Sequence, residues 1–138
     1  MSILTGAEIK RQVMLGNIKI DGFDESRLGP NSYNLSLHPE LLTYQEYVLD
    51  CKLENKTIGH TITDDGLVLE PGIGYLGRTM EKTATSHFVP MLEGRSSLGR
   101  LFLNIHATAG FGDIGFNGFW TLELSVTQPL IIYPKTLG

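Results

Sequence analysis

Residues 116–124 read FNGFWTLEL, and the alternation in this stretch limits which kind of fold the chain can adopt. Successive side chains of a strand point to opposite faces of the sheet. One face carries the apolar residues Trp120, Leu122 and Leu124. The other face carries Phe119, Thr121, Glu123 and Ser125. The pattern predicts a strand that packs one face on a core and presents the Glu123 carboxylate on the opposite face, where a rigid strand can fix its position.

Short strand-like runs recur along the rest of the chain and are separated by turns. Sixteen glycines and six prolines divide the 138 residues into short segments. The runs lie at 32–37, 46–53, 60–70, 75–81, 87–94, 101–110, 119–126 and 129–134. Their spacing of about ten residues is typical of an all-β sandwich or barrel. One helix is predicted near the N-terminus, where Thr5 and Glu8 fit a capping box and Gly16 can end the helix.

The composition is that of a single globular domain that covers residues 1–138. Apolar residues make up 41% and charged residues 19%, which is too apolar for a disordered chain. No apolar run approaches the roughly 20 residues of a membrane span, and no signal peptide is evident, so a cytoplasmic location is expected. The formal net charge of −4 argues against a nucleic-acid polymer as partner, although a local arginine cluster can still bind a small anion.

The cysteine and histidine content argues against a disulfide and against a protein-bound zinc ion. Cys51 is the only cysteine, so no internal disulfide can form. The histidines, at positions 38, 60, 87 and 106, are scattered and lack the spacing of a zinc site. No zinc is therefore expected, in contrast to the many nucleobase deaminases that use one.

Residues 93–100, EGRSSLGR, concentrate polar side chains directly after the apolar run FVPML. The guanidinium groups of Arg95 and Arg100 match phosphate oxygens, and the hydroxyls of Ser96 and Ser97 can complete an anion cradle. The same residues also fit a polar turn with exposed arginines. Spacing alone leaves both interpretations open, because the segment lacks the residue order of a P-loop.

Residues 106–118, HATAGFGDIGFNG, suggest a tight hairpin. Its four glycines let the backbone approach a ligand closely, and Asp113 lies between two of them. Taken alone, the segment fits an ordinary hairpin with a solvent-facing aspartate better. His106 is predicted to be a packed, hydrogen-bonded strand histidine, and Glu123 by itself fits an exposed strand glutamate.

Taken together, the motifs EGRSSLGRL, TAGF-D-GF-G and TLEL closely resemble the dCTP deaminase branch of the trimeric dUTPase superfamily. The resemblance is strong from Tyr75 to Leu124, with the motifs in the same order and at the same spacing, and it is weaker at SYNLSL, residues 32–37. It implies a distorted jelly-roll β-barrel of the dUTPase-like type. It also implies a homotrimer with active sites between subunits, and dCTP and dUTP as substrates.

The resemblance assigns roles to the residues of the anion cradle. The positions that match the family's triphosphate contacts are Arg95, Ser96 and Ser97, and magnesium (Mg2+) is expected to be bound through the phosphates. Arg100 matches a catalytic arginine that lies close to the general base. The resemblance thus favours the ligand-binding interpretation of this segment over the polar turn.

Glu123 matches the general base of the family, with Thr121 beside it in the substrate-binding set. Ser96 and the backbone carbonyl of Ala109 are expected to help hold the attacking water, and Asp113 is expected to face the deoxyribose. Without zinc, a carboxylate must activate the water that attacks C4 of cytosine. Glu123 is the residue that the resemblance places in this role.

Gly110 and Phe111 follow the TA of this segment, where family members that only deaminate carry histidine and arginine. This difference favours members that also cleave the resulting dUTP to dUMP and pyrophosphate, with Asp113 as the candidate to activate the second water. Three alternatives stay open. They are a dUTP diphosphatase without deaminase activity, which has no need of Glu123; a catalytically inactive nucleotide-binding module of the same fold; and, more distantly, a carbohydrate-binding module that stacks a sugar on Trp120.

The chain departs from the family pattern at several positions. Gly112 replaces an apolar residue and Ile114 replaces a proline, which is expected to loosen the hairpin around Asp113. Asn34 replaces an aspartate, and Phe102 occupies a position that is usually glycine. The family continues past YPKTLG into a strand and a lid, so the C-terminal strand and lid are expected to be missing from these 138 residues.

Overall fold

The computed structural model describes residues 2–106 and 112–134, and in these residues the chain is built mainly from short strands. The helices are α1 (Gly6–Leu15) and α2 (Ser96–Gly99), and a 3-10 turn covers Glu25–Arg27. The strands are β1 (Ile18–Ile20), β2 (Glu40–Tyr44), β3 (Thr57–Thr61), β4 (Leu67–Leu69), β5 (Tyr75–Arg78), β6 (Thr83–Thr85), β7 (Leu103–His106), β8 (Asn117–Gly118), β9 (Thr121–Val126) and β10 (Leu130–Ile132). The predicted all-β class with a short N-terminal helix is confirmed.

Within the described ranges the strands pair in three antiparallel sheets. Their strand orders are β1-β6-β8, β10-β4 and β3-β2-β5-β9-β7. In the five-stranded sheet, β9 lies between β5 and β7, so Glu123 has Leu76 on one side and His106 on the other. The pairings among these residues form separate sheets and do not by themselves trace a closed barrel.

Strand β9 alternates as the sequence predicts. Leu122 and Leu124 are fully buried, whereas Thr121 is exposed and Glu123 is half-buried. Burial of a leucine side chain contributes about 1.5 to 3 kcal/mol. The buried leucines join a core that also contains Leu37, Leu41, Ile62, Leu69, Tyr75, Leu103, Trp120, Val126 and Ile132. Because Trp120 is only 7% exposed, its ring belongs to this core and offers no open platform for a sugar.

Helix α1 has the ends that the sequence predicts. The Thr5 hydroxyl accepts a hydrogen bond from the N–H of Glu8 at 3.2 Å, and Gly16 ends the helix in the left-handed conformation at φ 82°. The hydrogen bond from the Arg11 side chain lowers the pKa of Glu8. In the part of the chain that the structure describes, neither helix has the length and apolarity needed to cross a membrane.

Thr79 ties the start of β9 to the end of β5. It is fully buried, and its N–H donates to the carbonyl of Trp120 at 3.0 Å. Its hydroxyl accepts from the N–H of Trp120 at 3.1 Å and donates to the carbonyl of Glu81 at 2.9 Å. The Glu81 carboxylate in turn accepts from the N–H of Ser36, with both oxygens at 3.0 Å. Buried polar groups cost free energy unless they are paired, so this network fixes where β9 begins.

The strand predicted at 46–53 does not form, because side chains in this segment take the backbone groups that a sheet would need. The Asp50 carboxylate accepts from the N–H of Lys52 at 3.0 Å. The Asn55 side chain accepts from the N–H of Asp50 at 3.1 Å and donates to its carbonyl at 3.0 Å. Such local bonds compete with strand pairing. The hairpin strands are instead β2 and β3 on either side of this turn.

The strands predicted at 87–94 and 32–37 are also wrong. Pro90 has no N–H to give to a ladder, and its carbonyl accepts from Gly112 at 2.7 Å. In 32–37 there are only isolated bridges, since Ser36 donates its N–H to the Glu81 carboxylate rather than to a neighbouring strand. Strands β1, β2, β6 and β8 lie outside the predicted runs.

Candidate active site

Glu123 lies on the outer face of the five-stranded sheet. We define the outer face as the side that carries Leu42, Leu76, Thr121, Glu123, Ser125 and His106, and the inner face as the side that carries Ile105, Leu122 and Leu124. Glu123 is half-buried and lines a shallow cavity of about 250 Å³. Tyr44, Leu76, His106 and Ser125 are among the residues that line this cavity. The prediction of a strand that presents Glu123 on the face opposite the core is confirmed.

Two polar side chains on the neighbouring strands extend this face. His106 lies directly opposite Glu123 and is exposed, so the prediction of a packed strand histidine is wrong. Arg78 lies opposite Thr121, and its guanidinium stands 4.3 Å from the centre of the Phe119 ring. The alternation of side chains in β7 could have predicted the face of His106. Leu103 and Ile105 point inward, so His106 lies on the same face as Glu123.

The segment predicted to form an anion cradle includes the short helix α2. Arg95 precedes the helix, Arg100 follows it, and both are exposed. Ser96 and Ser97 form its first turn and are exposed as well. Leu98 packs against the core, and the backbone at Gly94 lies against the side chain of Ile105, with 3.5 Å from an ideal Cβ position to Cβ of Ile105. The apolar contacts anchor the segment and leave its polar groups facing outward.

Asp113 begins a tight turn. The N–H of Phe116 donates to the carbonyl of Asp113 at 2.9 Å, and Gly115 has φ 85°. A positive φ at the third position is typical of a type II turn, which favours proline at the position of Ile114. Asp113 itself is exposed. The proline that the family has at this position thus suits the turn, and Ile114 suits it less well.

The segment between β7 and β9 differs from the predicted tight hairpin. β7 and β9 are antiparallel neighbours, so the chain does reverse direction, but β8 within this segment pairs with β6. The backbone carbonyl of Ala109, predicted to hold the water, lies outside the described residues. Gly112 donates its N–H to the Pro90 carbonyl at 2.7 Å, a contact that opposes the expected loosening.

Within one copy of the chain, Glu123 and the anion cradle lie in different places. Arg95 lines a second cavity of about 700 Å³, together with Ile105 and Leu122 of the inner face. Glu123 lines the cavity on the outer face. The structure therefore brings Glu123 and Thr121 together on one face, and it places Arg95 on the opposite side of the sheet.

The donor groups of the two regions differ in what they can bind. The cradle offers guanidinium and hydroxyl groups, which suit phosphate oxygens. The cavity on the outer face is lined by one carboxylate and one imidazole, Glu123 and His106, which suit proton transfer. Among residues 2–106 and 112–134, no group of three or more His, Cys, Asp or Glu side chains is placed to hold a metal ion.

Comparison with known proteins shows the family. The sequence model described as dCTP deaminase-like matches residues 3–137. A relative from Clostridium beijerinckii, named dCTP deaminase, dUMP-forming, is 60% identical over 133 residues, which cover 96% of this chain and 76% of the relative. A relative of the same name from Hathewaya histolytica is 61% identical over 133 residues, covering 96% of this chain and 77% of the relative. The chain belongs to the dCTP deaminase-like family, so the resemblance seen in the sequence is confirmed.

A solved structure supports the fold. The 2'-deoxycytidine 5'-triphosphate deaminase of Agrobacterium tumefaciens superposes with a TM-score of 0.73 at 20% sequence identity. The match covers 96% of this chain and 44% of that chain. At this identity the likeness concerns the architecture alone.

Phe102, just after the cradle, is the one described non-glycine residue with a positive φ, at 61°. A side chain in the left-handed region costs about 1 to 2 kcal/mol, which explains why the family usually has glycine here. The Phe102 side chain is 60% exposed, so its removal loses little burial.

We expect Phe102→Gly to raise the free energy of unfolding by about 0.5 to 1 kcal/mol, since relief of strain exceeds the added entropy of a glycine in the unfolded chain. Urea unfolding followed by tryptophan fluorescence measures this change. Leu101→Gly is the matched control: it is adjacent and exposed, its φ is not positive, and it should lower stability. A destabilised Phe102→Gly variant would contradict the account.

Proposed function

We propose that this chain forms an enzyme that deaminates dCTP and then hydrolyses the dUTP formed to dUMP and pyrophosphate. The observation that carries the proposal is the Glu123 carboxylate, half-buried on a strand held between two others and lying in a cavity. The relatives at 60% and 61% identity are named dCTP deaminase, dUMP-forming, and this name supports both steps.

In the first step Glu123 acts as the general base. It takes a proton from a water that attacks C4 of the cytosine ring, and the tetrahedral carbon so formed carries the new hydroxyl and the amino group. Glu123 delivers this proton to N3, then takes the proton of the new hydroxyl and passes it to the leaving amino group, so that ammonia departs as the C4 carbonyl forms. Proton transfer by a positioned side chain contributes typically about 10² to 10⁴-fold to the rate. Ser96 and the carbonyl of Ala109 hold the water in this proposal.

The anion cradle binds the triphosphate. Arg95, Ser96 and Ser97 contact phosphate oxygens, and Arg100 stabilises the ionised form of the general base by its positive charge. Magnesium enters as part of the substrate, bound to the phosphates, because the cradle supplies cationic and hydroxyl donors rather than the carboxylate ligands that Mg2+ prefers. The water of the first step is activated by a carboxylate and needs no zinc in this proposal.

In the second step Asp113 activates a water that attacks the α-phosphate of dUTP. The bond between the α- and β-phosphates breaks, pyrophosphate leaves, and dUMP remains. Asp113 is exposed at the start of a defined turn, which supports its role as the acceptor of a proton from such a water. A cytoplasmic location is part of the proposal, since the exposed, unpaired Cys51 suits a reducing compartment.

A complete site requires more than one copy of the chain in this proposal. Arg95 and Glu123 line cavities on opposite sides of the five-stranded sheet, so one copy supplies the base and a neighbouring copy supplies the cradle. A closed homotrimer gives three equivalent sites of this kind, because a head-to-tail interface with threefold rotation closes on itself.

Glu123→Gln keeps the size of the side chain but removes the proton acceptor. We expect ammonia release from dCTP to fall by at least about 10²-fold, while dCTP binding with magnesium, measured by calorimetry, stays nearly unchanged. Glu40→Gln is the control, because Glu40 is exposed on the same face at β2. Ammonia release at the rate of the unchanged protein would exclude Glu123 as the base.

Mixed oligomers test whether each site takes residues from two copies. Ser96→Ala and Glu123→Gln chains should each be nearly inactive alone. When they are co-expressed with different tags and purified through both, about a third of the sites should combine intact residues from neighbouring copies, because each mixed trimer has one such site. Ammonia release should therefore reappear. Mixed oligomers that stay as inactive as either parent would contradict sites shared between copies.

The product distribution tests Asp113. With dCTP and magnesium, the unchanged protein should give dUMP and pyrophosphate, whereas Asp113→Asn should accumulate dUTP, with second-step rates lower by about 10² or more. Asp65→Asn, an exposed aspartate of another turn, is the control. Separation of the nucleotides by ion-exchange chromatography reads the result. An unaltered ratio of dUMP to dUTP would remove Asp113 from the second step, and untouched dCTP with consumed dUTP would make the protein a plain dUTP diphosphatase.

A further inference from the structure

The Trp120 ring lies where the Asp113 turn meets the segment that leads to the anion cradle. A Cβ placed on Gly112 would lie 3.0 Å from Cη2 of Trp120 and 2.8 Å from Cγ of Pro90. The backbone of Gly112 therefore fits between the tryptophan ring and the proline ring, with no space for even a methyl group. The Gly112 N–H also donates to the Pro90 carbonyl at 2.7 Å.

Trp120 supports both ends of the turn that begins at Asp113. On one side it contacts Gly112, the residue directly before Asp113. On the other side its ring packs against the ring of Phe116, the last residue of the turn, with 4.8 Å between the ring centres. The four-residue turn thus rests on one side chain at its beginning and at its end.

The position of the Trp120 ring is itself fixed from two directions. Its backbone N–H and carbonyl are both hydrogen-bonded to Thr79. Its indole N–H donates to the hydroxyl of Thr83 at 3.1 Å. Because the ring is buried and bonded at its polar edge, it is a rigid support rather than a mobile one.

Gly112 and Trp120 are matched in size. The large ring of Trp120 occupies the space that a side chain at position 112 would need. A glycine in a turn would ordinarily add freedom to the backbone. In this chain that freedom is removed by packing against Trp120 and Pro90.

We propose that Trp120 is the positioning residue for Asp113, and that the size-matched pair Trp120 and Gly112 sets how effectively dUTP is cleaved after deamination. The inference rests on the proposed second step for its effect on products, but the support of the turn by Trp120 is a separate physical claim. Trp120 touches no reacting atom in this scheme. It acts through the location of the Asp113 carboxylate, and a displacement of about 1 Å can cost up to roughly 10²-fold in rate.

The first test reads the order of the turn without any activity. In a Cys51→Ser background, Asp113→Cys provides a single site for a nitroxide label, whose mobility is measured by electron paramagnetic resonance. We expect Trp120→Leu to raise the mobility of this label. A label at Asp65→Cys, in the turn between β3 and β4, is the control and should not change. Unchanged mobility at position 113 in folded Trp120→Leu protein would overturn the inference.

Gly112→Ala provides a second variant in case Trp120→Leu does not fold. The added methyl group must displace the Trp120 or Pro90 ring or the turn itself, so the label at position 113 should again become more mobile. The double variant Gly112→Ala with Trp120→Leu should recover order, because the methyl group enters the space that the smaller side chain leaves. Additive effects of the two substitutions would contradict a size-matched pair.

The second test uses the unlabelled protein with dCTP and magnesium. We expect the ratio of dUMP to dUTP to fall by roughly 10 to 10²-fold in each single variant and to recover in part in the double variant. The rate of ammonia release should change less than this ratio. Equal losses in ammonia release and in dUMP formation would indicate a general structural role and overturn the inference. If the unchanged protein converts neither dCTP nor dUTP, the proposed function fails, while the label still decides whether Trp120 holds the turn.

Discussion

The hydrogen bonds between Thr79 and Trp120 are the constraint on which the arrangement of this protein depends. They are made in the interior, where an unpaired amide is costly, and they involve both backbone groups of the residue that leads into β9. Once that residue is fixed, the faces of β9 are fixed as well. The leucines go to the core, and Glu123 goes to the opposite side.

The same constraint connects the core to the chemistry that we propose. Glu123 follows Trp120 by three residues along a regular strand, and Asp113 lies in a turn that packs on the Trp120 ring at both ends. The two carboxylates are therefore located by one buried side chain and its hydrogen bonds. Rigid support of this kind is what a site needs if small displacements are to be avoided.

The parts of the fold that depend on local pattern could be predicted from the sequence. The capping of α1 by Thr5 and its end at Gly16 follow from short-range chemistry, and the faces of β9 follow from the period of the side chains. The segment at 46–53 could not be predicted, because its outcome depends on which backbone groups the side chains of Asp50 and Asn55 take.

The layout of the candidate site could not be predicted from the sequence. The sequence singled out Arg95 and Glu123 by residue type, order and resemblance. It could not show that they lie on opposite sides of one sheet, because that depends on strand order and on where α2 packs. His106 was misjudged for a related reason: a single histidine has no period of its own, and its face is set by its neighbours in β7 and by pairing with β9.

The hydrogen bonds between Thr79 and Trp120 limit which changes in chain length the protein tolerates. Insertion of one residue between Trp120 and Glu123 would turn the glutamate into the apolar interior and expose the leucines, since an odd shift exchanges the two faces of a strand. An even shift would preserve the faces but move the carboxylate along the strand by about 7 Å. We therefore expect the length of this short stretch to be nearly invariant among functional homologues, while length variation collects in turns such as the one between β2 and β3.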